Sequence, residues 1–251
     1  MSSQVVDTSA AEEFMRETMA QVSSTELDDI VGQLERKADG FAARLAEPGA
    51  ARRLDAAELR ALLRSMFGVR RKADAVLAVT GDERLGTAID DLLHGPAPLS
   101  ERVVEFDKIV YADFPDQGFD LPGELLHFTW PDRYWLWSKW MWDPRAETGA
   151  LALVTADDYD LAAPDRGAGY LRVGEAITFI NETGRQVGFT AIGTSTRTGG
   201  GLFGLDVFLA CVYAVYMYTV LRLRMTQEFN KIVPELPDLV RRLLGVHRPE
   251  V

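Results

Sequence analysis

Residues 202–221, LFGLDVFLACVYAVYMYTVL, are twenty consecutive positions with a single charge, Asp206. A stretch this apolar has to leave water, and at ~1.5 Å of rise per residue it is about long enough to cross the hydrocarbon of a bilayer. It fits a membrane span, the central helix of a core, or an obligate contact between subunits. The following residues include Arg222, Arg224, Lys231, Arg241, Arg242 and Arg248. A span would place that basic flank outside, against the positive-inside bias. Tyr213, Tyr216 and Tyr218 also each want a hydrogen-bond partner that lipid does not supply. Burial as core or interface is the leading expectation, and membrane contact through 202–221 is disfavoured.

Upstream, the signal is helical. Leu27, Val31, Leu34, Ala38, Phe41 and Leu45 alternate in steps of four and three behind Thr25 and Asp28, which have the spacing of a capping box and predict a helix over 25–46. A second box, Asp55 and Glu58, opens a helix carrying Leu59, Leu62, Leu63 and Met66, with Gly68 where a C-cap falls. Short helices follow at 70–79 and 83–93, and Val103, Phe106 and Val110 share a face in the segment from Leu99. Further on, LALV (151–154) and GFTAI (188–192) read as short strands, 173–186 as a helix through Ala176, Ile177 and Ile180, and 234–245 as an amphipathic helix. The expected fold is mainly α, a multi-helix array with a small irregular or β-containing insertion and a long hydrophobic helix near the C-terminus. The expected organisation is an N-terminal arm (1–24), a helical domain (25–114), a Trp-rich mixed segment (115–200), and the hydrophobic and amphipathic helices (201–251).

All five tryptophans, Trp130, Trp135, Trp137, Trp140 and Trp142, fall within thirteen residues. On a helix, Trp135 and Trp142 would lie two turns apart while Trp137 and Trp140 pointed elsewhere, so at least one indole is expected to face outward. An aromatic core, a partner interface and stacking on a base or ligand all remain open. The residues Leu125, Leu126, His127, Phe128, Pro131, Asp132, Tyr134 and Trp137 carry the pattern apolar-Leu-His-Phe, two residues, Pro-Asp-x-Tyr, then any residue, an apolar residue and Trp. With the preceding LLHGPAPLSERVVEF (92–106), the stretch 92–142 resembles helix-hairpin-helix-like helical domains of prokaryotic restriction and phage-defence proteins. That resemblance implies a nucleic-acid-associated helical domain.

Charge ranks the partners. With 38 acidic and 27 basic side chains the chain carries −11, which disfavours nucleic acid, a partner gripped through Lys and Arg. His94, His127, His247 and Cys211 are scattered without metal spacing, and His127 in LLHF is expected to be a hydrogen-bonded core residue. Asp157, Asp158, Asp160 and Asp165 lack the central Gly and terminal Glu of a calcium loop. Arg197, Thr198, Gly199, Gly200 and Gly201, ahead of the apolar run, form a possible anion site or a flexible hinge. No catalytic set, cofactor site or metal site is assembled. The lone cysteine and the absence of a secretory pattern in MSSQVVDTSAAEEF give cytoplasm as the expectation.

The sequence thus points to a non-enzymatic interaction or assembly subunit of a larger cytoplasmic complex, with a protein partner or a homo-oligomer. The expected contact residues are Trp130, Tyr134, Trp135, Trp137, Trp140, Trp142, Leu236, Leu239 and Leu243. The alternatives are a nucleic-acid-associated domain of a bacterial defence system and an enzyme with an unrecognised site.

Overall fold

Asp55 accepts hydrogen bonds from the backbone N–H groups of Ala57 and Glu58, while the Glu58 carboxylate accepts from the Asp55 N–H at 2.9 Å. This closed capping box starts a helix where the sequence places one. The structure, a computed structural model, describes residues 5–111, 119–188, 192–193, 195–197, 201, 203–224 and 234–246. Among these it is mainly α, with ten α-helices: α1 (Thr8–Gln21), α2 (Ser24–Leu45), α3 (Ala56–Arg64), α4 (Ala73–Thr80), α5 (Asp82–His94), α6 (Leu99–Phe106), α7 (Leu121–Thr129), α8 (Arg166–Val187), α9 (Gly204–Arg224) and α10 (Leu236–Leu243). All six seam residues of α2 are buried. Its cap differs from the expected Thr25 and Asp28: Ser23 accepts from the Glu26 N–H and donates to the Glu26 carboxylate.

The chain forms two compact units that interleave in sequence. The first is Arg36–Lys139 with Asp160–Ile177; the second is Met1–Glu35, Trp140–Tyr159 and Thr178–Val251. In the first, α5 is the organising element, burying Leu85, Ala88, Ile89, Leu92 and Leu93 among α3, α4, α6 and α7. A 3-10 turn at Ala51–Arg53 crosses α5 at Gly86, where a Cβ would meet the Ala51 carbonyl oxygen at 2.7 Å. Past Phe106 the helix widens into a π turn, Asp107–Tyr111.

In the second unit α9 is packed by α1 and α10. Residues 203–212 are buried all round, and the cover thins at Tyr216, which is 37 % exposed. As a helix the apolar run starts at Gly204 and takes in Arg222 and Arg224, and no helix among the described residues is long and apolar enough to cross a membrane. Residues 8–21, expected as an arm, are helical with Asp7 as cap.

Two expectations are corrected. LALV (151–154) is no strand: Leu151–Leu153 form a 3-10 turn. The Thr155 N–H and hydroxyl both return to the Leu151 carbonyl, so the backbone satisfies itself without a neighbouring strand. The β content among the described residues is confined to two isolated bridges, Val6 with Thr155 and Asp143 with Thr148. Of GFTAI, residues 189–191 lie outside the described residues.

The tryptophan segment is not helical either. The helix α7 stops at Thr129, and Trp130 leaves the helical conformation (φ −140°, ψ 77°) because it precedes Pro131, which disfavours the α conformation. The chain then runs irregularly to residue 149. In the first unit it crosses α7 at Gly123, where a Cβ would sit 2.2 Å from the Trp137 carbonyl oxygen. Glycine is required there by close backbone approach.

Candidate functional site

In the first unit, the end of α7 presents an aromatic surface. Trp130 N–H closes the helix on the Leu126 carbonyl, and the N–H groups of Arg133 and Tyr134 return to Trp130 O at 3.0 and 3.1 Å. This tight turn exposes Asp132 and Arg133 and leaves Trp130 and Tyr134 half-buried. Their ring centroids are 6.0 Å apart, and His94, ending α5, meets Trp130 edge-on at 5.2 Å.

Each member is fixed from behind. His127 is buried and its Nδ1–H donates to the Tyr134 carbonyl at 2.8 Å, while the His94 Nε2–H donates to Leu45 O at 2.9 Å. A carbonyl only accepts, so each ring must carry its proton on the bonded nitrogen. Arg102 caps the C-terminus of α5 through Leu92 O and Leu93 O and reaches the Tyr134 hydroxyl at 3.5 Å. Trp135 stacks on Tyr170 at 4.8 Å, over Gly174, whose missing side chain makes room for the indole.

The same unit holds a buried charge network that the sequence did not reveal. Lys37 Nζ is 2.9 Å from Glu124, with both side chains at least nine-tenths buried, and the ammonium stands 4.0 Å from the Phe128 ring centroid. Asp120 accepts the Lys139 N–H at 2.7 Å; burial, reinforced by the Glu124 carboxylate, pushes its pKa up to about 7. Gly68, expected as a C-cap, instead makes room for Asp120, whose Oδ2 a Cβ would meet at 1.8 Å. Asp107 pairs with Arg166 at 2.8 Å, and burial outweighs that pairing to raise its pKa to about 6. Arg166 also donates to Phe119 O and lies against the Phe119 and Trp137 rings. These contacts hold residues 135–139 against α7 and α8.

The remaining expected contact residues are mostly internal. Trp137 is buried in the first unit; Trp140, Trp142, Leu236 and Leu243 are buried in the second, where the Trp140 indole N–H donates to Leu243 O at 3.1 Å. Leu239 is half-buried. Trp130, Tyr134 and Trp135 are therefore the members of the expected aromatic set that reach solvent. Of the proposed anion loop, Thr198, Gly199 and Gly200 lie outside the described residues, as does His247. Asp157, Asp158, Asp160 and Asp165 are exposed, with Asp165 capping α8 through the Ala168 N–H. Among the described residues no group of three His, Cys, Asp or Glu side chains is placed to hold a metal.

The second unit carries a cleft of about 520 Å³ between α1 and α9. Ala10, Phe14 and Gln21 line it from α1, and Val215, Tyr218 and Thr219 from α9. Glu13 and Glu17 complete the α1 wall. No protein-family model, curated protein or solved structure matches this chain.

Proposed function

We propose that the chain is a non-enzymatic assembly subunit of a cytoplasmic complex, docking a partner protein through the surface built from Trp130, Tyr134 and His94. The carrying observation is the combination of half-exposed Trp and Tyr, an exposed arginine beside them, and a rigid support of hydrogen bonds from His127, Arg102 and Leu45. Trp, Tyr and Arg dominate the energetics of protein interfaces. A pre-set aromatic surface binds more tightly than a mobile one because less side-chain freedom is lost on association.

A photo-crosslinking residue placed at Arg133, with a second at Glu83 on the exposed start of α5 as control, tests this in the cells of origin. The expected result is a discrete protein adduct at position 133 that Trp130→Ala abolishes while the melting temperature stays within a few degrees of the parent. Equal adducts at both positions, or none at 133, overturn the assignment. Adducts at 133 with nucleic acid rather than protein would move the reading to the defence-system alternative.

A further inference from the structure

The α1–α9 cleft of the second unit is independent of the Trp130 surface, and its chemistry is different. Along α1 the lining positions 10, 13, 14, 17 and 21 recur at helical spacing, so one face of the helix lines the cleft over about three turns, or roughly 16 Å at 1.5 Å per residue. The floor is apolar, from Ala10, Phe14 and Val215, and the far end carries polar Gln21 and Thr219. Glu13 and Glu17 stand one turn apart on the same wall, both exposed. Like charges at that spacing repel and weaken the helix that holds them. Arg16 does little to offset this: it lies 4.0 Å from Glu13 with both side chains more than two-thirds exposed, and Glu17 has no ion pair among the described residues. An apolar trough beside two exposed carboxylates, of which Glu13 alone has a weak, exposed ion pair, calls for an occupant with the complementary pattern.

We propose that this cleft docks a basic amphipathic helix of another protein, its apolar stripe at i, i+3, i+4 and i+7 lying on Phe14 and Val215 and its Lys or Arg side chains meeting Glu13 and Glu17. Helix-in-groove recognition reads that same spacing. The chain's net charge of −11 steers a cationic segment toward it.

The probe is a fluorescein-labelled fifteen-residue helical peptide of leucine and lysine with leucines at i, i+3, i+4 and i+7, titrated with the full chain and followed by anisotropy. Two charge-matched double variants separate the cleft from bulk charge: Glu13→Gln with Glu17→Gln in the cleft, and Glu101→Gln with Glu105→Gln on α6. The expected result is at least a tenfold weakening by the cleft pair, less than twofold by the α6 pair, and no binding of the same peptide with glutamates in place of lysines. Ala10→Phe, which narrows the trough without changing charge, should also weaken binding at least tenfold. Equal losses from the two charge variants, binding of the acidic peptide, or no binding by the parent chain overturns the proposal. So does self-association competing with the peptide, seen as affinity that falls as protein concentration rises. Trp130→Ala is expected to leave the peptide affinity unchanged, so this test and that of the aromatic surface fail separately.

Discussion

Trp135 and Tyr170 hold each other by two opposed hydrogen bonds: the indole N–H donates to the Tyr170 carbonyl and the Tyr170 hydroxyl donates to the Trp135 carbonyl, each at 2.8 Å, with the rings stacked 22° from parallel. Each side chain therefore caps the other's backbone, fixing an irregular segment to α8 through side-chain-to-backbone bonds.

Tyr170→Phe keeps the stack and deletes one of those bonds, leaving a carbonyl unpaired beside a fully buried ring. The expected loss is about 1–3 kcal/mol of folding stability, measured by urea denaturation. A change below a few tenths would mean that the pair does not anchor the segment.

The buried Lys37–Glu124 pair makes a sharper prediction. Removing one partner strands a charge, so Lys37→Met and Glu124→Leu should each cost about 3–5 kcal/mol, whereas the two together should cost much less than their sum. A double-mutant cycle measures the coupling; additive losses would contradict the pairing.

Asp120 and Asp107 link stability to pH in an unusual direction. Burial raises both folded pKa values, to about 7 and about 6, above the unfolded 3.8. The native state therefore binds more protons than the unfolded chain between those limits, so their contribution to stability falls as pH rises from about 4 to about 7 and levels off above. Asp120→Asn retains an acceptor for the Lys139 N–H and removes the charge. Its melting temperature relative to the parent is expected to rise across that window and stay higher at pH 8. A pH-independent difference would show that Asp120 titrates normally.

Cys211 is buried, and burial pushes its thiol up to about 12. Since the thiolate is the reactive form, alkylation of the native chain by iodoacetamide should be slow and should track global unfolding in denaturant. Rapid single-phase labelling under native conditions would place Cys211 at an accessible surface.

Local signals were legible where a helix depends on its own neighbours. The box at Asp55 and Glu58 and the seam from Leu27 to Leu45 are built from contacts three and four residues apart, which is what periodicity reports. The tryptophan segment was legible as mixed and irregular, with Pro131 disfavouring helix at Trp130, but which indoles are buried was not, because the partners Tyr170 and Leu243 are far away in sequence. The charge network escaped for the same reason: Lys37 and Glu124 are 87 residues apart, and nothing near either announces the other. Of the aromatic surface, Trp130 and Tyr134 were singled out in the sequence and stand half-buried, but not His94, whose place beside them depends on where α5 ends. The α1–α9 cleft was not legible at all, since α1 fell in a stretch read as an arm.

The interleaving of the two units imposes an order on synthesis. Everything needed by the α5-centred unit has been translated once Ile177 emerges, whereas α1, made before that unit, waits for α9 and α10, made after it. At elongation rates of about 5–20 residues per second, the span from residue 21 to residue 204 keeps α1 without its native mate for roughly ten seconds or more. A ribosome stalled before residue 204 would hold a nascent chain with one unit fully translated and the other still lacking α9 and α10, the helices on which its earliest helix depends.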